Sequence, residues 1–418
     1  MRLEHYMRCN KFQCGVTFAA GAIALILSAS ASSQSLPAAD DAPAVHLRLE
    51  TRIRYANIDE NDKPQRVDVI TARAIAGADF TLTPQLKATL EIIHSDYVPP
   101  KRFSDNPADF ASPYPLLPDP RHTGVNEAHI TWTPTPDFMA RAGRQSVKLG
   151  NERHISDDNF RQVPQLFHGL LLRAAPFAGS QLTVGQFNRL RTRFGTTEPM
   201  QLTLAELAMN PVRDISVTAY AVRHRALANA FDAFRFGVAD LSNRVLGVVV
   251  DGSYPIADVR AYYTLDVADQ RSVSGESLLH TRYWRAGLGA GWGGWVVRAD
   301  HEVKGSNGGR YGYQTPLANQ YLFNGNALTF FDTPATGLRD TWATLRWQQG
   351  PWSVLAEQHW FRSDSGHQRY GQEIDATVIY AINPRAHLRV QWARYRPAVG
   401  GFGAEVDKLW LTVGHELK

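Results

Sequence analysis

A basic stretch with the chemistry to bind anions lies between Arg141 and Gly169 of the 418-residue sequence. It reads RAGRQSVKLGNERHISDDNFRQVPQLFHG and contains four arginines, one lysine, two histidines and two adjacent aspartates. Guanidinium groups present fixed hydrogen-bond donors that match the oxygens of carboxylates and phosphates. The stretch is therefore a candidate site for an anionic ligand, and its flanks alternate like the strands that would position it.

Catalytic and metal-binding chemistry have weaker signals in the same stretch. His154, Asp157 and Asp158 could form a metal or acid–base cluster, but no third ligand stands at helical or hairpin spacing. Ion pairs of the aspartates with Arg153 and Arg161 are the favoured interpretation. No HExxH, GxSxG, P-loop or EF-hand spacing is present. We predict no catalytic residue, metal or cofactor; a hydrolase whose triad is assembled from neighbouring strands is the alternative.

Apolar and polar residues alternate with period two through most of the chain, which is the pattern of β-strands. From Val45 to Tyr55 every second residue is mostly apolar, and the residues between are mostly charged. Similar alternation follows at 72–82, 86–92, 295–302 and 388–392. These segments approach about ten residues, which is longer than strands of soluble sandwiches and fits a tilted membrane strand.

Short and long breaks alternate along this pattern. Tight-turn residues stand at 83–84, 133–137, 175–180, 210–211, 254–255, 293–294, 350–351 and 383–384. Longer polar breaks stand at 59–66, 99–124, 147–165, 191–199, 224–241, 268–280, 305–337, 363–372 and 397–405. The sequence therefore predicts an all-β fold, a transmembrane antiparallel up-and-down β-barrel of about 18 strands in an outer membrane. Its short turns would be periplasmic and its long loops extracellular.

The first residues predict a cleaved export signal. A basic start precedes an apolar run from Cys14 to Leu27 and a small-residue motif that ends at Ala31. We predict a signal peptide over 1–31, a short periplasmic segment over 32–44 and the barrel over 45–418. Both cysteines fall in the predicted signal, which would leave the exported chain without a disulfide or a thiolate metal site.

Composition excludes some classes of protein. No window after residue 31 has the length of a transmembrane helix, which excludes a helical inner-membrane protein. The formal net charge is only +4, and we expect no nucleic-acid partner. Aromatic residues near predicted strand ends would form interfacial girdles, although aromatics are also good strand formers. They are Tyr55, Trp132, Trp295, Trp342, Trp352, Trp360, Tyr380, Trp392 and Trp410.

A barrel in a membrane would turn its charged strand face inward, and excess guanidinium there would favour anions. The predicted pore-lining residues are Arg48, Arg52, Arg54, Arg73, Arg141, Arg144, Arg153, Arg161, Arg298, Arg346 and Arg389. The predicted acidic partners are Asp79, Glu91, Asp157, Asp158 and Asp300. Pairing with acids would stiffen the wall and would keep a basic pore from holding its solute too tightly. If the 147–165 loop folds inward, its arginines would form a constriction.

Several of these residues belong to a familiar set of motifs. They are Gly143-Arg144-Gln145, Arg153, Asn159–Gln162, Gly169, Tyr313–Ala318, Phe323–Gly325, Phe331–Pro334, Gly337–Asp340 and Asp407–Trp410. In them the chain resembles the alginate-export family of outer-membrane porins, over nearly its whole exported length and most specifically at 313–340. The resemblance implies an eighteen-stranded monomeric barrel and an arginine-lined conduit for an anionic polysaccharide. It also implies Arg144, Arg153 and Arg161 as pore arginines.

We therefore expect a Gram-negative outer-membrane channel for passive passage of anionic solutes. The solute would be an alginate-like polysaccharide or oligosaccharide, or a small organic anion. A weakly selective solute-uptake porin is the alternative within transport. Other expected partners are outer-membrane lipid, lipopolysaccharide and the barrel-assembly machinery.

Overall fold

The structure is a computed structural model that describes residues 44–227, 242–273 and 279–417. The predicted signal peptide and nearly all of the 32–44 segment lie outside these residues. The strands are β1 Val45–Glu60, β2 Val67–Thr83, β3 Leu86–Tyr97, β4 His122–Thr135, β5 Phe138–Gln145, β6 Leu166–Ala174, β7 Ser180–Arg191, β8 Thr197–Val212, β9 Ile215–Ala226, β10 Asn243–Ile256, β11 Val259–Ser272, β12 His280–Trp292, β13 Trp295–Lys304, β14 Leu338–Gln349, β15 Trp352–Arg362, β16 Arg369–Asn383, β17 Ala386–Pro397 and β18 Val406–Leu417. A short 3-10 helix spans Gln320–Leu322.

All the strands belong to one sheet, in which each strand pairs antiparallel with its neighbours in the sequence. The first and last strands also pair, from Leu49 opposite Leu417 to Glu60 opposite Val406. This pairing closes the sheet into a barrel and leaves no strand edge unpaired. The predicted 18-stranded antiparallel barrel is confirmed.

Most of the predicted turns and loops lie at the connections between strands, but the turns predicted at 210–211 and 254–255 are wrong, because these residues belong to the ends of β8 and β10 and the chain turns at 213–214 and 257–258. The chain passes from β2 to β3 between Thr83 and Leu86, whereas β5 and β6 are separated by residues 146–165. Short connections and long connections alternate in this way around the barrel, so they collect at opposite ends, here named the short-turn end and the long-loop end. Parts of the predicted breaks at 224–241 and 268–280 lie outside the described residues.

Apolar side chains cover the outer face of the wall. Ile92, Ile130 and Leu170 are each 43–59% exposed there, whereas Arg54 and Thr71 point inward and are buried. This is the reverse of a soluble core, and it suits a wall surrounded by hydrocarbon. No helix among the described residues is long and apolar enough to cross a membrane.

The predicted aromatic girdles are present in part. Trp132, Trp295 and Trp352 are 40–48% exposed on the outer face near the short-turn end. Trp342 and Trp410 instead point inward and are buried, so the girdle prediction is wrong for these two. The alternation of the strand explains the inward direction of Trp410. It lies directly opposite Ala56, whose side chain faces inward, and opposed residues share one face of the sheet.

Three long loops enter the barrel and build its hydrophobic clusters. Loop 98–121 packs Phe103 and Leu117 against the inner wall. Loop 146–165 and loop 305–337 meet in a larger cluster through Ile155 and Tyr313. Further along, loop 305–337 adds Phe330 to a third cluster beneath β15–β18. The long-loop half of the lumen is therefore packed, and the wall alone does not set its width.

Close backbone approach fixes the pairing of β2 with β3. A Cβ added at Gly77 would lie 2.2 Å from the Leu90 carbonyl oxygen, whereas one at Gly124 would meet nothing closer than 3.4 Å. We expect Gly77→Ala to lower the free energy of unfolding by about 1–3 kcal/mol, the usual cost of overpacking, and Gly124→Ala to change it by less than about 0.5 kcal/mol. Urea unfolding in micelles, followed by far-UV circular dichroism, measures both; equal midpoints would contradict the expected crowding.

Candidate pore and constriction

Three arginines of the wall hold loop 146–165 inside the barrel. Arg52 donates hydrogen bonds to the carbonyl oxygens of Asn159 at 2.7 Å and Phe160 at 3.0 Å. Arg54 donates to the Phe160 carbonyl at 2.8 Å, and Arg73 donates to the Asn159 side chain at 2.7 Å. We call Arg52, Arg54 and Arg73 the arginine clamp. Loop 146–165 therefore folds into the barrel, as a constriction would require.

The clamp arginines hold the loop in place, so most of their charge is not available to a solute. Arg54 and Arg73 are buried beneath the loop, and Glu50 accepts from both Arg52 and Arg73. Asp119 also lies 3.7 Å from Arg54. Main-chain carbonyls and these two carboxylates thus surround the three guanidinium groups. The structure therefore places Arg54 and Arg73 behind the loop instead of on an open passage.

Arg153 and Arg161 are also enclosed. Arg153 forms an ion pair with Glu302 of β13, and its guanidinium lies 4.2 Å from the centre of the Phe323 ring. The Arg161 guanidinium lies 4.6 Å from the centre of the Tyr321 ring. Both side chains are buried and tie loop 146–165 to the wall or to loop 305–337. The structure does not place them on the passage, which corrects the sequence-based expectation.

The two adjacent aspartates have other partners than expected. Asp157 lies 3.2 Å from the Lys148 ammonium group, and Asp158 lies 2.8 Å from the Arg193 guanidinium. The expected pairs with Arg153 and Arg161 are wrong. Lys148 stands on the same loop, but Arg193 comes from the β7–β8 connection, which no local pattern links to Asp158.

Burial sets the ionisation of this loop. His154 packs beside the rings of Tyr220, Tyr283 and Tyr313, and its Nε2 lies 2.7 Å from the Tyr313 hydroxyl. Burial, aided by the charge of Arg153, lowers the pKa of His154 to about 3. Burial also raises the pKa of Asp158 despite its ion pair with Arg193. The imidazole is thus neutral at ordinary pH and can join the hydrogen bond with Tyr313.

Arg48 of β1 lies near three carboxylates of the neighbouring strands β2, β3 and β4 on the lumen face. Its guanidinium lies 3.5 Å from Asp79, 3.0 Å from Glu91 and 3.8 Å from Glu127. Two of these are predicted acidic partners. Arg48, Glu91, Glu127 and Lys148 line a cavity of about 310 Å³ between the wall and loop 146–165. The space beside the loop therefore carries both signs of charge.

Asp300 also lies on the lumen face and is the centre of a second ion-pair group. It lies 2.6 Å from Arg298 and 2.9 Å from Arg285. The sequence analysis named Arg298 and Asp300 but missed Arg285. The strand alternation of β12 would have found Arg285, since it lies opposite Glu302 of β13.

Other lumen arginines have no such carboxylate. Arg141 donates to the Thr131 hydroxyl at 3.0 Å, and Arg346 donates to Gln348 near the short-turn end. Arg389 lies opposite the inward-facing Thr412, and Arg173 lies opposite the buried Thr183. Within the described ranges no carboxylate forms an ion pair with these four. Arg173 was missed because the run of leucines before it hides the alternation.

Arg144 lies on the outer side of the wall. It follows Ala142 by two residues, and Ala142 lies opposite the exposed Ile130 and Leu170. The Arg144 guanidinium contacts His168 at 2.7 Å and the carbonyl oxygen of Val125 at 2.6 Å. The expectation that Arg144 lines the pore is therefore wrong. Arg141 and Arg144 are an odd number of residues apart, so one strand must turn them to opposite faces.

Acidic residues of β14–β16 hold loop 305–337. Glu373 accepts a hydrogen bond from the Ala327 amide at 2.6 Å, and Asp375 accepts one from the Asn326 amide at 3.2 Å. His359 lies 3.0 Å from Asp340 and 3.7 Å from Asp375. Sequence reasoning did not find this group. A basic set of wall residues thus holds one loop, and an acidic set holds the other.

Solved structures of Pseudomonas aeruginosa proteins share this fold. OpdK, in a structure with vanillate, is 15% identical with a TM-score of 0.68, covering 89% of this chain and 98% of that chain. OccK9 (OpdG) is 16% identical with a TM-score of 0.68 over the same shares. A further structure, of the outer membrane protein OpdK, is 14% identical with a TM-score of 0.67, covering 90% and 98%. Identities this low establish the common fold alone.

No protein-family model and no curated protein sequence matches the chain. The resemblance to the alginate-export family is therefore not confirmed.

Loss of the arginine clamp is expected to release loop 146–165. Hydrogen bonds to charged groups contribute about 1.5–3 kcal/mol each, and Arg52→Gln with Arg73→Gln removes several. The freed loop would expose Lys148, Arg153 and Arg161 to trypsin and leave the lumen, so single-channel conductance would rise. Arg346→Gln, a lumen change that does not touch the loop, is the control. A double variant with the cleavage pattern and conductance of the unaltered protein would show that the clamp does not hold the loop.

Acid is expected to loosen the same loop through His154. Its pKa is about 3 in the docked loop against an ordinary 6.5, so an undocked loop binds the proton more readily. The docking free energy is fully present above pH 6.5 and falls by about 1.4 kcal/mol per pH unit toward pH 3. Current fluctuations of single channels should therefore grow between pH 7 and pH 4.5. His154→Gln should remove this growth; an equal acid response in both proteins would exclude His154 as its source.

Proposed function

We propose that this chain is a passive outer-membrane channel for small organic anions, narrowed by loops 146–165 and 305–337. The observation that carries the proposal is the set of lumen arginines without a carboxylate partner in the described structure. Arg141, Arg173 and Arg389 of this set face the interior. Their guanidinium groups attract anions and repel cations across the low-dielectric wall.

The outer membrane is the location that the barrel favours. In water, the apolar outer face of this closed sheet would be exposed to solvent. In a membrane, that face contacts hydrocarbon and the closed sheet satisfies its own backbone hydrogen bonds. The export signal predicted over 1–31 would carry the chain out of the cytoplasm. One of the proteins that share the fold is described as an outer membrane protein, which supports the same location.

The packed lumen favours short solutes over a polymer. Loops 98–121, 146–165 and 305–337 all lie inside the barrel, and an alginate-like polysaccharide would have to pass beside all of them. A short carboxylate needs only a narrow polar path. OpdK, which has the same fold, was solved with vanillate, and vanillate is an aromatic carboxylate that a guanidinium can bind through two hydrogen bonds.

The acidic residues of the lumen fit the same proposal. Glu91 and Glu127 face Arg48 across the cavity beside loop 146–165, and Asp157 lies on its other side. A solute carboxylate would compete with these fixed acids for the cations. That competition keeps binding weak enough for release, which conduction requires.

Neutralising the unpaired lumen arginines is expected to reduce anion selectivity. In Arg141→Gln, Arg173→Gln and Arg389→Gln combined, the reversal potential in a KCl gradient across a planar bilayer should shift toward the cation value. Arg144→Gln is the matched control, because it removes one guanidinium near the same strand pair from the outer face. Unchanged selectivity in the triple variant would favour a weakly selective porin instead.

Liposome swelling separates the solute classes. Liposomes that contain the channel should swell faster in an aromatic carboxylate than in an oligoalginate of several sugars. Faster entry of the oligosaccharide would instead support the polysaccharide conduit implied by the sequence resemblance. Ester hydrolysis by the same preparation would support the hydrolase alternative.

A further inference from the structure

The outer face of the wall holds an apolar groove that follows β9. Its floor consists of small side chains, Ala219 and Ala221 of β9 and Ala205 of β8, with Ala205 directly opposite Ala221. Larger side chains form its sides, and Leu246 and Trp284 are 62% and 40% exposed. The groove has a volume of about 810 Å³. On a membrane-facing wall, an apolar groove of this size can accept an acyl chain.

Three arginines stand where the groove reaches the long-loop end. Arg223 follows Ala221 by two residues on the same face of β9, and Arg244 precedes Leu246 by two on β10. Arg244 lies directly opposite both Arg223 and Arg271. Because neighbouring strands are about 4.8 Å apart, the three guanidinium groups form one row across the end of the groove. We call Arg223, Arg244 and Arg271 the outer arginine row.

Among the described residues, few carboxylates lie near the outer arginine row. Asp269 lies 3.2 Å from Arg271 but also binds His280. In the part of the chain that the structure describes, no carboxylate pairs with Arg223 or Arg244, and both are exposed. Like charges directly opposite each other on a sheet repel. A ligand with several negative charges would remove this repulsion.

Two exposed arginines elsewhere on the outer face have carboxylate partners. On β17, Arg394 lies 2.7 Å from Asp407 and Arg396 lies 2.8 Å from Glu405. At these two positions the wall itself supplies the negative charge that balances the guanidinium groups. Within the described ranges, the outer arginine row is therefore a local excess of positive charge, and it lies at the end of the groove.

We propose that the outer arginine row and the groove bind a phosphorylated glycolipid of the lipid A type. Its phosphate groups contact Arg223, Arg244 and Arg271, and one acyl chain lies along Ala219 and Ala221. This rests on the proposed outer-membrane location, and the outer leaflet is where the long-loop end lies if the long loops are extracellular, as the sequence predicts. Arginine matches phosphate geometry, and each basic residue adds to the attraction of an anionic lipid surface. Two phosphates on one glycolipid suit a row of three cations better than the single phosphate of a phospholipid.

Native mass spectrometry of the delipidated protein in detergent, with added diphosphoryl lipid A, tests the site. The unaltered protein should retain one or more lipid A molecules. Arg223→Gln, Arg244→Gln and Arg271→Gln combined should lower the affinity at least about tenfold. Arg394→Gln with Arg396→Gln is the matched control and should bind like the unaltered protein. Equal binding by the row variant would overturn the proposal.

A groove variant tests the acyl chain separately. Ala221→Leu keeps all three arginines and fills the floor of the groove, so it should weaken lipid A binding while leaving the charge unchanged. Millimolar inorganic phosphate should not displace the lipid from the unaltered protein. Complete displacement by phosphate, or full binding by Ala221→Leu, would show an anion site without a lipid groove and would overturn the proposal.

Channel recordings keep this proposal distinct from the proposed function. In bilayers of zwitterionic phospholipid, the row variant should retain the anion selectivity of the unaltered protein, because none of its changes faces the lumen. If the unaltered protein carries no anion-selective current but the row variant alone loses lipid A, the proposed function fails and the lipid site stands. If selectivity is present and lipid A binds both proteins equally, the lipid site fails alone.

Discussion

The hydrogen bonds between β1 and β18 close the sheet, and the distribution of every other side chain depends on that closure. A closed barrel satisfies its backbone groups within the wall, so its outer face can be apolar and its inner face can hold charge. Ile130 and Leu170 on the outside and Arg54 on the inside illustrate the division. The lumen then becomes the one place where long polar loops can be packed without meeting hydrocarbon.

Packing those loops uses much of the charge in the lumen. The arginine clamp offers its donors to main-chain carbonyls of loop 146–165, and Glu373 and Asp375 accept from main-chain amides of loop 305–337. Buried backbone N–H and C=O groups need such partners, because burying one without a hydrogen bond lowers the stability of the folded protein. Arg141 and Arg389 are among the charged residues that still face the lumen, and the proposed anion selectivity rests on them.

The surroundings of an arginine, more than its presence, decide what it does. Arg153 is enclosed by Glu302 and an aromatic ring and holds two segments together. Arg394 forms an ion pair with Asp407 on the outer face, so its charge is balanced within the wall. Arg244 has other arginines on both sides, and this arrangement favours an anionic partner from outside the chain. One residue type thus holds a loop, balances a carboxylate on the wall and, in the proposed lipid site, would contact phosphate.

The strands, most turns and the alternation of short and long connections could be predicted from the sequence, because period-two patterning and turn chemistry are local properties. The sequence could also have placed Arg144 outside, since Arg141 and Arg144 are an odd number of residues apart in one strand. The pairing of Asp158 with Arg193 and the burial of Arg153 against Glu302 could not be predicted in this way and are visible only in the folded barrel. Those partners come from distant segments that barrel closure and loop packing bring together, and no spacing along the chain encodes such a meeting.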